Sequence, residues 1–238
     1  MSFSDGESLI HMPAVQDHKR AYENDTGPNT GGMGTYSDSD HSLPFLEKSH
    51  IETAQKINEK TAKALKHKFG EGYKGILYGG FIATNAGVEL IEYNARLGDP
   101  EAMNVLSILD SDLIKICEAI ISEDLNNTKI VFKNLATVCK YAVPEGYPDD
   151  PVKGHQIDVS EIKDKNMLFY ASVECKNDNL IQIGSRAIAV IGHGETIWEA
   201  EQIAEKNILK VKGPLFHRKD IGTTDLIQKK INHMSSLK

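Results

Sequence analysis

Residues 75–94 constrain the fold most, because two apolar runs stand on either side of a short turn sequence. Residues 75–84 predict a buried strand, residues 85–87 (Asn-Ala-Gly) predict a turn, and residues 88–94 predict a returning strand. Alternate side chains of a strand lie on one face, so a hairpin here decides which residues share a surface. The first half of the chain is therefore expected to contain an antiparallel hairpin.

Helices are expected on both sides of this hairpin. Apolar residues recur at helical spacing over residues 51–69, with Ser49 as the candidate N-cap. A second helix is expected from Pro100, which suits the first helical position, to about Ile121. Asp99 is the candidate N-cap of that second helix.

The rest of the chain divides into a loop-like start and a second half rich in short strands. Residues 1–42 have few periodic apolar positions and much Gly, Pro, Asn and Asp, which is typical of a long loop. The polar residues 122–128 predict a boundary between domains at 1–125 and 126–238. Beyond it, strand-like runs and a helix capped by Thr196 indicate a small α+β domain. The runs are 135–143, 168–175, 180–183 and 187–191, with a hairpin turn expected at Asp178-Asn179.

Charge and hydropathy argue against two classes of partner. The net charge is -7 and the basic residues are scattered, whereas a nucleic-acid groove usually has a clustered basic patch. No apolar run approaches the roughly 18 residues that a membrane span requires. The first six residues have neither the basic nor the apolar region of a signal peptide, so a cytoplasmic location is expected.

Glu92 and Asn94 are candidate metal ligands at the end of the returning strand. They alternate along the strand, so their side chains point to one face, about 7 Å apart. A carboxylate and an amide oxygen at that spacing suit Mg²⁺, which completes its shell with waters and substrate phosphates. The alternative is the polar outer face of an edge hairpin. Arg96 is not needed to cap the next helix, so it is a candidate anion-binding residue.

Three further segments contain residues suited to anions or to charged substrates. Residues 27–34 contain four glycines in eight positions, and free N–H groups there would suit a phosphate or a carboxylate. Residues 16–20 carry mixed charges just before that loop. Arg218 and Lys219 are adjacent cations shortly before a glycine, and they would suit a phosphate. For each segment the alternative is an exposed turn or a solvated surface.

Taken together, these segments resemble the phosphoribosylamine–glycine ligases of the ATP-grasp superfamily. Five stretches carry the resemblance, in the order and with the separations of that family, across nearly the whole chain. Each stretch is modest alone, whereas their joint occurrence is specific. They are residues 12–20 (MPAVQDHKR), 27–34 (GPNTGGMG), 76–80 (ILYGG), 92–101 (EYNARLGDPE) and 218–222 (RKDIG).

The resemblance implies a fold and a reaction. The fold is α+β, with part of an ATP-grasp domain, a mixed or antiparallel sheet with helices, followed by a small α+β carboxyl-terminal domain. The reaction ligates glycine to 5-phosphoribosylamine in purine biosynthesis, with ATP as co-substrate and Mg²⁺ or Mn²⁺ as cofactor. The glycine carboxylate would attack the γ-phosphate of ATP to form glycyl phosphate, and the amine of phosphoribosylamine would then displace phosphate.

The resemblance also implies roles for individual residues. Glu92 and Asn94 would hold the metal against the ATP phosphates, and Arg96 would neutralise the transferring group or the glycine carboxylate. Arg218 and Lys219 would hold the ribose phosphate. Asp17, as a second catalytic residue, would border the glycine and acyl-phosphate site together with the substrate-binding residues Lys19, Asn29, Thr30, Gly31, Gly32 and Asp99.

The chain departs from the family at its start. Family members carry an amino-terminal Rossmann-like domain and a small ATP-grasp lobe before the segment that opens this chain, and neither has a counterpart here. We expect a catalytic half that works with a separate amino-terminal chain, or that self-associates through an apolar face near residues 75–91. The alternatives are a non-catalytic remnant that still holds phosphorylated ligands, and an ATP-grasp ligase with other substrates.

Overall fold

The computed structural model describes residues 1–237 as five α-helices and fifteen strands, with every strand pair antiparallel. This architecture confirms the α+β class. The helices are α1 Lys48–Phe69, α2 Glu101–Ser107, α3 Leu113–Ser122, α4 Ile197–Ile208 and α5 Thr224–Ser236. The strands are β1 Ser2–Asp5, β2 Leu9–His11, β3 Gln16–Asp17, β4 Arg20–Tyr22, β5 Thr26–Asn29, β6 Gly34–Ser37, β7 Lys74–Thr84, β8 Gly87–Asn94, β9 Ala136–Pro144, β10 Gln156–Ile157, β11 Leu168–Tyr170, β12 Val173–Lys176, β13 Asn179–Gln182, β14 Ile188–Gly194 and β15 Leu215–Phe216.

The largest sheet combines strands from both halves of the chain. Its order is β11-β14-β9-β6-β3, and β15 pairs with the end of β9. All nine residues of β9 are buried, because β14 and β6 flank this strand and α4 packs against it. The domain boundary between residues 125 and 126 stays a prediction, and the sheet crosses it.

A four-stranded sheet of order β2-β1-β7-β8 contains the predicted hairpin. Strands β7 and β8 pair from Tyr78 opposite Asn94 to Thr84 opposite Gly87, with a shift in register after Gly80. Helix α1 packs on this hairpin, and α3 packs against β1 and β7. The hairpin of residues 75–94 is thereby confirmed, and it presents Glu92 and Asn94 at the end of β8.

The expectation of a long loop over residues 1–42 is wrong, because six short strands lie there. Ser2, Ser4 and Thr35 are fully buried or nearly so. Their hydroxyls are satisfied within the protein: Ser4 Oγ donates to the carbonyl of Tyr73 at 2.6 Å, and Thr35 Oγ1 donates to Asn104 Oδ1 at 2.5 Å. Polar side chains therefore occupy inward positions, which removes the apolar alternation that marks a strand in sequence.

Two expectations about helix starts are also wrong. Ser49 lies inside α1, whose N-cap is Glu47. The helix expected from Pro100 to Ile121 is two helices, because Asp112 begins α3 by accepting from the backbone N–H of Ile114 at 2.8 Å. The carboxylate of Asp99 caps neither helix and bonds to side chains from the second half of the chain instead.

The second half keeps most of its predicted elements. Thr196 caps α4, since its Oγ1 accepts from the backbone N–H of Glu199 at 3.2 Å. The run expected over residues 168–175 is divided into β11 and β12, which belong to different sheets. The hairpin between β12 and β13 turns at Asn177 and Asp178, both with positive φ (48° and 63°), one residue earlier than expected.

Apolar clusters fill the space between the layers. One cluster lies between the large sheet and α4, and another packs α3 against β1. Among the residues that the structure describes, no helix is long and apolar enough to cross a membrane.

Candidate active site

A cavity of about 1040 Å³ opens between α1, the β7–β8 hairpin, the first 30 residues and α5. Sites for small ligands typically occupy roughly 300–1,000 Å³, so the volume suits a molecule of nucleotide size. One part of the wall is charged and the other is apolar. The charged part includes Asp17, Lys19, Glu92 and Glu101, and the apolar part includes Ile51, Phe81, Ile82, Val88 and Ile91.

Glu92 and Asn94 lie side by side on β8, as their alternation predicts. Asn94 Nδ2 donates to Glu92 Oε1 at 3.1 Å, and Glu92 is exposed to the cavity. A half-turn of the Asn94 amide would bring its oxygen beside the carboxylate. The pair therefore supplies oxygen donors of the kind that Mg²⁺ prefers.

A cation at this pair would need ligands from outside the chain. Within residues 1–237 no group of three or more His, Cys, Asp or Glu side chains is arranged to hold a metal. Waters and phosphate oxygens are the usual remaining ligands of Mg²⁺. Arg96 follows at the end of β8, where it is exposed and donates to the carbonyl of Leu97 at 2.9 Å.

Asp17 on β3 is a buried carboxyl group with a raised pKa. Its Oδ2 lies 2.6 Å from Lys19 Nζ, whereas its Oδ1 is buried without a hydrogen-bond partner. Burial is the main reason that the pKa of Asp17 rises to about 6, and the charge of Glu101 adds to the effect, while Lys19 opposes it. The carboxyl group is therefore half protonated near pH 6 instead of near pH 4.

Glu101 stands beside Asp17, in the first turn of α2. It is 3 % exposed, its Oε1 accepts a hydrogen bond from Tyr78 Oη, and its Oε2 is buried without a partner. Burial first, and then the charge of Glu101, raise the pKa of Tyr78, so its phenol stays a donor. A Cβ at Gly98 would lie 2.6 Å from Glu101 Oε2, so the close approach requires glycine at that position.

The glycine-rich loop is held by hydrogen bonds through its own amides. Thr30 N–H donates to the carbonyl of Lys19 at 2.7 Å, and Gly31 N–H donates to Tyr147 Oη at 3.0 Å. Gly32 N–H donates to Thr30 Oγ1 at 3.0 Å. The interpretation of this stretch as a row of free N–H groups is therefore wrong for residues 30–32. Gly32 also has φ 120°, and a Cβ there would lie 2.7 Å from Pro100 Cδ.

Arg186 joins this loop to Asp99. Its Nη1 donates to the carbonyls of Gly31 and Gly32, each at 3.2 Å, and its Nη2 donates to Asp99 Oδ2 at 2.7 Å. The guanidinium carbon lies 4.5 Å from the centre of the Tyr141 ring, and Tyr141 Oη donates to Asp99 Oδ1 at 2.9 Å. One arginine from the second half thus fixes the backbone next to Asp17 and Glu101.

Arg218 is 1 % exposed and already paired with two carboxylates. Its Nε and Nη2 donate to Asp220 at 2.9 and 2.8 Å, and its Nη1 donates to Asp25 Oδ1 at 2.7 Å. Lys219, in contrast, is exposed, and its backbone carbonyl accepts from the buried Lys140 Nζ at 2.8 Å. Of the two adjacent cations, Lys219 is the one open to a ligand from solvent.

Two sequence models of one family match most of the chain. "Phosphoribosylglycinamide synthetase, ATP-grasp (A) domain" matches residues 1–102, and "Phosphoribosylglycinamide synthetase, C domain" matches residues 137–224. The chain belongs to the phosphoribosylglycinamide synthetase family. The resemblance inferred from the five sequence stretches is confirmed.

Similar proteins agree with this family assignment. The phosphoribosylamine–glycine ligase of Methanosarcina barkeri is 52% identical over 237 residues, which are 100% of this chain and 54% of that protein. The ligase of Methanocaldococcus jannaschii is 51% identical over 239 residues, with 99% and 54% covered. The crystal structure of the Thermotoga maritima ligase aligns with a TM-score of 0.80 at 29% identity, covering 92% of this chain and 54% of that one. The chain spans about half the length of the curated relatives that it matches.

The cavity brings together part of the predicted set. Its lining contains Asp17, Lys19, Asn29, Thr30 and Glu92. Gly31 and Gly32 lie behind this wall in contact with Arg186, and Asp99 is engaged by the same arginine. The structure thus places the predicted residues near β3 and Glu92 on β8 around one cavity. Arg218 and Lys219 lie on a separate loop after β15.

Sequence reasoning missed three residues of this candidate site. Glu101 and Tyr78 lie in stretches that resemble the family and Arg186 lies outside all five, yet no role followed from their spacing. Tyr78 and Glu101 are 23 residues apart, and Arg186 is 155 residues from Gly31. The one available signal was Arg186 itself, a cation after two small residues just before a buried strand.

Proposed function

We propose that this chain contributes to the ATP-dependent ligation of glycine to 5-phosphoribosylamine, which gives glycinamide ribonucleotide, ADP and phosphate. The step belongs to purine biosynthesis, and we infer a cytoplasmic location for it. Membership of the synthetase family and the cavity with Glu92, Asp17 and Lys19 on one wall support the proposal. The chain would supply the carboxyl-terminal half of such a ligase, with a separate amino-terminal half or a second copy as partner.

The proposed chemistry needs positioned substrates and neutralised charge more than covalent help from the protein. Glu92 and Asn94 would hold Mg²⁺ or Mn²⁺, which would draw negative charge from the ATP phosphates during transfer. The exposed guanidinium of Arg96 would stabilise the group passing from ATP to the glycine carboxylate. Asp17 and Lys19 would border the glycine and the acyl phosphate formed from it.

Lys219 would carry most of the proposed hold on the ribose phosphate. The guanidinium of Arg218 is already bonded to Asp25 and Asp220. Its expected contribution is therefore to fix the loop that presents Lys219. Asn29 and Thr30 reach the cavity wall and would contact substrate there. Gly31, Gly32 and Asp99 would act by shaping that wall.

The observation that carries the proposal is the meeting of Glu92, Asp17 and Lys19 at one cavity in a chain of this family. The test mixes this chain with the amino-terminal half of a related ligase and measures glycine-dependent ADP formation. Glu92→Ala should reduce the rate by at least about 100-fold, because the phosphates lose their metal anchor. Glu89→Ala, on the same strand and outside the cavity lining, is the matched control.

Each outcome has one meaning. A rate that survives Glu92→Ala rules out the metal assignment. ADP formation that does not depend on glycine indicates an ATP-grasp ligase with another substrate. No turnover with any amino-terminal half, from a chain that is folded by circular dichroism, identifies a non-catalytic binding subunit.

A further inference from the structure

The residues on both sides of Lys219 are bonded to other parts of the chain. The ring of His217 lies against α4, with its Nε2 3.1 Å from Glu205 Oε1. The carbonyl of Asp220 accepts from Thr223 Oγ1 at 2.7 Å. Lys219 itself is exposed, and in the part of the chain that the structure describes its ammonium has no carboxylate partner. A fixed stretch of backbone thus carries a free cation.

Lys140 on β9 fixes the backbone of Lys219 directly. An ammonium has three N–H groups, and here each of them has one acceptor. The acceptors are Glu201 Oε1 at 2.7 Å, Glu205 Oε2 at 2.6 Å and the carbonyl oxygen of Lys219 at 2.8 Å. Lys140 has no exposed surface, so solvent does not compete for these donors. One of the three donors is therefore committed to a loop that lies 79 residues further along the chain.

The backbone of Lys140 also borders the glycine-rich loop. Lys140 pairs with Gly34, the last residue of that loop, where β9 and β6 run side by side. A Cβ at Gly34 would collide with the carbonyl oxygen of Cys139, so the two strands approach closely at this point. One buried lysine therefore sets the loop that presents Lys219 against the stretch whose Asn29 and Thr30 line the cavity.

Stability alone does not explain a buried lysine at this position. Removing an ammonium and two carboxylates from water costs free energy that their attraction only roughly repays, and apolar side chains of similar size often stabilise a core as well. An apolar side chain cannot, however, donate a directed hydrogen bond to the carbonyl of Lys219. The directed bond is the property that distinguishes Lys140 from a hydrophobic residue.

We propose that Lys140 is a positioning residue for the binding of a phosphate monoester. Lysine recognises phosphate as a point charge on a flexible stem, so the placement of the Lys219 backbone decides where that charge lies. Fixing the loop before the ligand arrives lowers the ordering cost of binding and thereby raises affinity. The inference rests on the proposed function, in which Lys219 holds the ribose phosphate, and it adds a residue that touches no substrate.

Equilibrium binding of ribose 5-phosphate to the chain itself, followed by NMR titration, tests this role. The double change Lys140→Met with Glu201→Gln removes the donor and one of its two carboxylate partners, so that fewer unpaired charges stay buried. Affinity for ribose 5-phosphate should fall about 10-fold although Lys219 is unchanged. Lys219→Ala should lose at least as much. Lys140→Gln is the second variant if the double change does not fold, because its shorter side chain cannot reach all three acceptors.

A control for lost stability is Ile116→Ala, in the apolar cluster that packs α3 against β1. This change destabilises the chain by lost packing and should leave the affinity for ribose 5-phosphate unchanged. With the amino-terminal half of a related ligase added, the Lys140 variants should raise the KM for phosphoribosylamine about 10-fold. Their kcat and their KM values for ATP and glycine should stay within about twofold of the wild type, which a general loss of structure would not allow.

Melting curves will show that each variant is folded. Wild-type affinity in a folded Lys140 variant, an equal loss in Ile116→Ala, or no binding of ribose 5-phosphate by the folded wild-type chain would each overturn the positioning role. Failure of the ligase proposal is seen separately, as absence of glycine-dependent ADP formation when the wild-type chain is mixed with the amino-terminal half.

Discussion

Asp17 links the stability of the chain to pH in the mildly acidic range. Burial raises its pKa to about 6 in the folded state, above the roughly 4 of an unfolded chain. Between these values the folded state binds more protons, so the free energy of unfolding falls as pH rises from about 4 to about 6. The loss amounts to about 3 kcal/mol and is complete above pH 6.

Urea unfolding of the wild type and of Asp17→Asn will test this linkage. The asparagine cannot titrate, so the stability of the wild type relative to the variant should decrease between pH 4.5 and pH 6.5 and stay level at pH 7 to 8. Glu89→Gln should follow the wild type at every pH. A relative stability that rises with pH would contradict the raised pKa of the buried Asp17 carboxyl group.

Arg186 should contribute more to the free energy of unfolding than a partly exposed side chain usually does. It bonds to two loop carbonyls and to Asp99, and it stacks on Tyr141. We expect Arg186→Ala to lower the unfolding free energy by about 2 kcal/mol, and Arg186→Lys to recover less than half, because an ammonium cannot reproduce the planar fork.

Chemical denaturation will measure that loss, and hydrogen exchange at the amides of Gly31 and Gly32 will show whether the loop loosens. Arg20→Ala is the matched control, because Arg20 is exposed and its side chain has one loop carbonyl contact, to Gly27 at 2.8 Å. It should cost less than about 0.5 kcal/mol. Equal losses for the two alanine variants would remove the case for Arg186 as a support of the site.

At the scale of residues, sequence predicted what depends on near neighbours. Glu92 and Asn94 followed from the two-residue period of a strand, and the structure has them 3.1 Å apart. The interaction of Asp17 and Glu101 did not follow, because these residues are 84 positions apart and the charge of one reaches the other only in the folded chain. Their chemistry depends on burial, which a polar stretch of sequence does not reveal.

Strand β9 and helix α4 are joined by an ionic cluster in which Lys140 has no exposed surface. Its Nζ lies 2.7 Å from Glu201 Oε1 and 2.6 Å from Glu205 Oε2. Burial would raise the pKa of Glu205, but His217 and Lys140 outweigh it and lower that pKa to about 2. The Glu205 carboxylate therefore stays ionised at neutral pH.

Removing one member should be costly, because the other charges stay buried. We expect Lys140→Met to lower the unfolding free energy by about 3–5 kcal/mol, and the double change with Glu201→Gln to cost less than the sum of the single changes. Denaturation of the four proteins of this cycle gives the coupling. Lys48→Met, at an exposed pair with Glu52, should cost under about 0.5 kcal/mol. Additive losses at Lys140 and Glu201 would show that they do not interact.

At the scale of elements, the long periodic segments were predictable and the short polar ones were not. Helix α1 and the β7–β8 hairpin follow from hydrophobic spacing. The strands before residue 42 are two to four residues long, and they bury serine and threonine side chains. The hydroxyls of Ser4 and Thr35 bond to Tyr73 and Asn104, which are 69 residues away in each case, so no local pattern reveals these strands. The break between α2 and α3 is marked in the sequence by Asp112, which caps α3. The apolar repeat continues across Asp112, so the spacing alone predicted one helix.

The β7–β8 hairpin exposes apolar side chains, of which Ile82 and Ile91 also line the cavity. Ile82 is 49 % exposed, Leu90 39 % and Ile91 64 %. Such a surface favours association, so light scattering should find dimers or larger species at high concentration. Leu90→Lys should shift the distribution to monomer. Ile114→Lys, at a more exposed position on α3, should not, and a wild-type chain that is monomeric throughout would contradict the expectation.

The large sheet has a consequence for how such a chain can be divided. Strand β6 comes from residues 34–37 and pairs along its whole length with β9, on the far side of the polar stretch 122–128. A cut in that stretch would separate the backbone but leave the two pieces with matching edges. Each piece alone would expose a strand that the other covers, so the pieces would remain bound as a nicked protein rather than diffuse apart. The pairing of β6 with β9 would thus hold the two pieces together even after the backbone between them is cut.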